Sequence, residues 1–117
     1  MDIEEFYGKI GGDYLEVLNR FVSKSLRKKI LPHFLTDPTY EELKAAIGEK
    51  DAEKAFLASH TLKGLASNLG FTNLFQAASD LTEELRGRVF EEEKLLLLFS
   101  KVTKQYEIVE SALKELD

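Results

Sequence analysis

The last quarter of the chain sets the tightest constraint on its fold. From Leu95 onward, Leu98 or Phe99, Val102, Tyr106, Val109, Leu113 and Leu116 recur at intervals of three and four. That spacing puts them on one side of an α-helix, and a stripe of this length has to be covered by other elements. Shorter stretches upstream repeat the pattern, and no Asn-Gly or Asp-Gly hairpin signal interrupts it. Both prolines, Pro32 and Pro38, fall in one short segment. The expected fold class is all-α: an antiparallel four-helix bundle with short additional N-terminal and connecting helices.

The same reading places the elements. Ile3 to Ile10 predicts a short helix packing Ile3, Phe6 and Ile10, broken by Gly11-Gly12. Asp13 can cap a long helix to about Leu31, with Leu15, Leu18, Phe21 or Val22, Leu26 and Ile30 as its stripe and Pro32 as its stop. Lys24, Arg27, Lys28 and Lys29 gather near its end, where cations suit the helix dipole. The turn Thr36-Asp37-Pro38-Thr39 opens a minor helix over Tyr40 to Ile47, closed by Gly48. Asp51 starts the next helix, whose buried side is Ala55, Ala58, Leu62, Leu65, Ala66 and Leu69. Gly70 fits a left-handed C-terminal cap, with Phe71 as the apolar residue that follows it. Thr72 begins a helix striped by Leu74, Ala77, Ala78, Leu81 and Leu85 and ended by Gly87; Glu91, Glu92 and Glu93 open the last one.

At 117 residues the chain has the length of one ordinary domain, and residues 1–117 are read as a single helical domain. Its 44% hydrophobic and 32% charged residues are those of a soluble globule. A net charge of −5 argues against non-specific nucleic-acid binding. No apolar run approaches the ~20 residues that span a bilayer, and the acidic start, Met1 to Glu5, does not read as a signal peptide. Cysteine is absent, which removes disulfides, thiol catalysis and thiolate metal sites and is compatible with a reducing compartment. A cytoplasmic, monomeric protein with no membrane and no nucleic-acid partner is expected.

The helix starting at Asp51 carries the chemistry. His60, Lys63 and Gly64 lie three and four residues apart and share a face. Phe56 and Ser67 lie on the same side, with Phe71 just beyond the helix end. A glycine inside a helix costs about 0.8–1.0 kcal/mol relative to alanine. Close approach of another molecule to the backbone is one good reason for it. At an ordinary histidine pKa of about 6.5, a neutral imidazole is nucleophilic near pH 7, and lysine binds phosphate as a compact point charge. A nucleophile beside a cation beside a gap points to phosphoryl chemistry with a partner. Phe56 and Leu57 are docking anchors or the rim of the core, and Phe71 carries the same two readings. His33, after Pro32, is read as structural. The two histidines have no metal-ligand spacing, so no metal site is expected. No Gly-x-x-x-x-Gly-Lys-Ser/Thr nucleotide loop occurs.

The string Ser59-His60-Thr61-Leu62-Lys63-Gly64, followed by Gly70, resembles the signature of histidine-containing phosphotransfer (HPt) domains. Gly11-Gly12-Asp13, Phe21, Leu74 and Leu81 fit the same pattern, so the resemblance covers most of the chain. It implies a carrier in a multistep two-component phosphorelay. A phosphoryl group would pass from a receiver-domain aspartate to His60 Nε2 and on to another receiver. Lys63 would balance charge on the phosphoryl oxygens, Gly64 would admit the receiver, and Gly70 would shape the corner between two helices. Partners would be response-regulator receiver domains and a hybrid histidine kinase. No cofactor is expected on this chain, the Mg²⁺ and acidic pocket belonging to the receiver. Some family members have a glutamine on the following helix that orients the histidine; ungapped counting puts Thr82 there, and no role is assigned to it. The alternatives are a helical adaptor that binds receiver or kinase domains without transfer, and a domain cut from a chemotaxis-type kinase. A free-standing phosphoryl carrier, with no kinase activity of its own, is the preferred reading.

Overall fold

The computed structural model describes residues 1–116, and every regular element among them is helical. In chain order these are α1 (Ile3–Lys9), α2 (Tyr14–Val17), α3 (Ser23–Ser25), a π-helical turn (Leu26–Ile30), α4 (Leu31–Thr36), α5 (Thr39–Gly48), α6 (Ala52–Asn68), α7 (Thr72–Leu85) and α8 (Glu92–Lys114). The bundle is α5 to α8. Helix α6 packs most extensively against α7 and α5, and α7 against α8, while α5 closes the ring on α8. The molecule measures 42 Å along its long axis, and the 23 residues of α8 rise about 35 Å at 1.5 Å each.

The stripes expected for the last three helices face the core. Leu95, Val102, Val109 and Leu113 of α8 are buried, as are Leu74, Ala77, Ala78, Leu81 and Leu85 of α7 and Ala55, Leu62 and Ala66 of α6. Helix α5 holds a larger place than its length suggests. Tyr40 stacks on Tyr106 of α8 with centroids 4.0 Å apart, and its hydroxyl shares a 2.8 Å hydrogen bond with Thr103. It is therefore a bundle helix rather than a minor connector. It runs through Gly48 and ends in a Schellman motif: Asp51 N–H bonds to Ala46 O and Lys50 N–H to Ile47 O. Lys50, at φ 56°, takes the left-handed position there.

The N-terminal third departs furthest from expectation. The apolar spacing of residues 13–31 predicts one helix, but the chain leaves α2 after Val17 and re-enters a helix only at Ser23. Leu15 and Leu18, expected in a buried stripe, are exposed, and of the alternatives Phe21 and Val22 it is Phe21 that packs against the core. The break resets the rotation about the axis, so spacing counted across it no longer measures a face. Pro32 does not stop the helix either. Proline lacks an N–H and its ring collides with the carbonyl four residues back. The π turn adds a residue to that loop of backbone, with Leu31 N–H bonding to Leu26 O, and the chain stays helical through Pro32 to Thr36. The stop comes at Asp37, extended at ψ 128°, as steric conflict before Pro38 requires.

This N-terminal arm grips the corner between α6 and α7. Tyr7 donates its hydroxyl to Leu69 O at 2.7 Å, and Asp13 N–H bonds to Gly70 O at 2.8 Å. Gly70 sits at φ 72°, and a Cβ on it would lie 2.8 Å from Asp13 O. Phe71 N–H bonds to Ala66 O and Gly70 N–H to Ser67 O, which makes the corner a Schellman motif. Phe71 is fully buried beneath the arm, edge-on to Phe34 at 5.2 Å and to Phe6 at 6.1 Å.

Candidate functional site

Helix α6 builds the site because its two long sides meet different surroundings. Asp51 caps it, accepting a hydrogen bond from Lys54 N–H at 3.0 Å. Leu62 is 1% exposed, and this turns His60, two residues earlier, to solvent. Among the described residues no hydrogen bond reaches the His60 ring. Its one ring neighbour is Phe56, a turn back, with planes 12° apart and centroids 6.1 Å apart. Offset aromatic pairs hold at this range.

Lys63 is half-buried one turn on from His60. Its charge acts on Glu83 of α7, which also accepts two hydrogen bonds from Arg86, at 2.6 and 3.1 Å. The Arg86 bonds first, and Lys63 after them, hold the Glu83 carboxyl below its ordinary range. Lys63 and Arg86 thus both act on the Glu83 carboxylate. Gly64 is exposed, and a Cβ built on it would have no neighbour within 4 Å. The space beside it is therefore open, and no helix crossing inside the described chain requires a glycine there. Ser67 is exposed one turn further.

The expected docking residues divide. Gly64 and Ser67 lie on the open face. Phe71 does not: its ring is in the centre of the aromatic core, because the Schellman corner folds the residue after Gly70 back onto α6. Phe56 is 8% exposed, so it forms the floor of the site rather than a knob on it. Leu57, 54% exposed, is the apolar side chain that reaches the surface, and it lies one turn from His60 and two turns from Gly64. Thr82 is buried and donates its hydroxyl to Ala78 O at 2.7 Å within its own helix. His33, exposed on α4, lines a groove with Leu65, Asn68 and Leu69 at the C-terminal end of α6.

Two residues of the site carry no sequence motif. Arg86 comes 5.7 Å from the centroid of Phe56. Arg88, after α7, lies 3.6 Å from that centroid and pairs with Glu53 of α6 at 2.9 Å. Arg88 also takes φ 56°, a left-handed conformation that costs a non-glycine residue roughly 1–2 kcal/mol. The expected helix terminator was Gly87, next to it. Helix α7 ends two residues sooner, at Leu85, and the strain falls on the arginine.

The site is thus a solvent-facing histidine on a 17-residue helix, with a cation one turn on and an open glycine beside it. The family model of the Hpt domain matches residues 36–116. The chain belongs to the Hpt domain family. Its Hpt region begins where the arm ends and takes in all four bundle helices. Histidine phosphotransfer in phosphorelays, with receiver and kinase partners, is the work of Hpt domains. No curated protein and no solved structure matches the chain. No described helix is long and apolar enough to cross a membrane. Among the described residues no three His, Cys, Asp or Glu side chains are grouped to hold a metal ion.

Proposed function

We propose that this Hpt chain carries a phosphoryl group on His60, taking it from the aspartyl phosphate of one receiver domain and giving it to the aspartate of another. The observation that carries the reading is the exposed, unbonded His60 ring beside Lys63 and the open Gly64. With its proton on Nδ1, the neutral ring has its lone pair on Nε2. Nε2 attacks phosphorus in line. The N–P bond forms as the P–O bond to the aspartate breaks, and the carboxylate leaves with the bonding electrons. The Nδ1 proton can pass to solvent. The reverse sequence returns the group to a carboxylate, so net direction is set by the relative stability of the two receivers' phosphoaspartates.

Positioning and charge do most of the catalytic work in phosphoryl transfer. On this chain Lys63 supplies charge to the phosphoryl oxygens, while Gly64, Ser67 and Leu57 form the landing surface. The acidic pocket and its Mg²⁺ belong to the receiver, and this chain is a carrier without a cofactor or kinase activity of its own. We place it in the cytoplasm, as a monomer. Its arm and bundle act as one domain, because Tyr7, Asp13 and Gly70 bond them at the α6–α7 corner.

The test is transfer from a phosphorylated receiver. Wild type is expected to take the label and His60→Gln to take none. Lys63→Ala, a half-exposed substitution, is expected to slow transfer about tenfold, the scale of one charge-assisted contact of about 1.5 kcal/mol, with an unchanged unfolding midpoint. Label retained by His60→Gln would overturn the site. Tight receiver binding by wild type with no phosphohistidine would support the adaptor instead.

A further inference from the structure

Resting on the reading of His60 as phosphoacceptor, we propose that Arg88 is a positioning residue, which holds the His60 ring in its attacking orientation by clamping Phe56. Glu53, Phe56 and His60 lie on successive turns of one face of α6. Arg88 reaches across from the end of α7 and engages the first two. Its Nε donates to Glu53 at 2.9 Å, and its guanidinium carbon lies 3.6 Å from the Phe56 centroid, well within cation–π range. A second donor, Nη1, bonds to Arg86 O at 2.7 Å, and its backbone N–H bonds to Leu85 O at 2.8 Å. Three side-chain contacts and one backbone bond thus fix this exposed residue. They do so in a left-handed backbone conformation that Gly87, one residue earlier, could have adopted without strain.

The clamp meets the imidazole only through Phe56. That ring has the core on one side and Arg88 over it, and it lies nearly parallel to His60. With Phe56 fixed, the His60 ring has a flat surface to rest along. In-line attack depends steeply on orientation, so a ring that samples fewer rotamers spends more time ready to react. An exposed Arg–Glu pair alone is worth little; the aromatic contact and the strained backbone make this one specific.

Arg88→Gly separates positioning from support, because it removes the guanidinium while relieving the backbone. The full chain carrying it is expected to unfold within about 3 °C of wild type. Its phosphorylation at His60 by phosphoramidate is expected to be about two- to fivefold slower, the scale of one exposed cation–π contact. Carbon-13 relaxation of the His60 ring in the unphosphorylated protein is expected to show added sub-nanosecond motion. Glu53→Gln should move rate and ring order the same way by less, and Arg88→Lys should recover part of both. Wild-type ring order in Arg88→Gly would overturn the clamp, as would a rate loss matched by a fall in Tm. Phosphoramidate labelling of wild type elsewhere than His60 would overturn the phosphoacceptor reading instead, and the ring-order comparison would still decide the clamp.

Discussion

The arm, residues 1–36, and the bundle, residues 39–114, are both helical, but they are held by different means. Each bundle helix runs ten residues or more and carries an apolar stripe along its length. The arm has helices of seven and four residues and one further helical run, Ser23 to Thr36, with a π turn inside it. Isolated helices this short are marginal in water, so the arm takes its order from what it touches. Its anchors are the Tyr7 bond to Leu69, the Asp13 bond to Gly70 and an aromatic cluster around Phe71. The comparison teaches that one corner, Leu69-Gly70-Phe71, serves both regions. It turns α6 into α7 and is also the surface on which the arm is built. The helix presenting His60 is thereby tied at its C-terminal end.

Phe71→Ala tests that corner hardest. Removing a fully buried aromatic ring costs about 3–5 kcal/mol, read from denaturant unfolding. Arm and bundle should lose stability together, in one transition. A second, earlier transition confined to the arm would break the account of a shared corner. Tyr7→Phe is milder, at about 1–2 kcal/mol, because it leaves Leu69 O without that donor. It also has a pH signature. Burial first, and Tyr14 nearby, push the Tyr7 phenol above its ordinary pKa of 10.0. A raised folded pKa means that its contribution is complete below the unfolded value and is lost as pH rises above about 10. The alkaline limb of wild-type stability should therefore be steeper than that of Tyr7→Phe, and parallel limbs would contradict the buried phenol. Smallest is Lys50→Gly in the bundle. Relief of the left-handed strain exceeds the added unfolded-state entropy, for a gain of about 0.5–1 kcal/mol. A loss would show that Lys50 is held by more than its backbone.

The same contrast explains what the residue pattern could reveal. His60, Lys63 and Gly64 were legible because α6 is unbroken for 17 residues, so counting by three and four measures a real face. Leu15 and Leu18 were misread by the same counting, since the chain is not helical between Val17 and Ser23. Pro32 read as a stop because a π turn leaves no mark in the sequence that distinguishes it from an α turn. Phe71 follows a glycine cap, where an apolar residue can fold back or project outward; the arm that covers it decides the matter. Arg88 was hidden for a different reason. A glycine beside it was the natural candidate for the left-handed position, and the stack on Phe56 joins residues 32 apart in the chain. Leu57 and Phe56, adjacent in sequence, could be told apart only once the packing of α6 was known.

The central claim is that phosphorus goes to one particular nitrogen. The chain has two histidines, both exposed, which gives it an internal control. Tandem mass spectrometry of protein freshly phosphorylated by a receiver, handled at neutral to alkaline pH, locates the group. The account predicts phosphohistidine at His60 and none at His33; modification of His33, or of any residue other than His60, would contradict it.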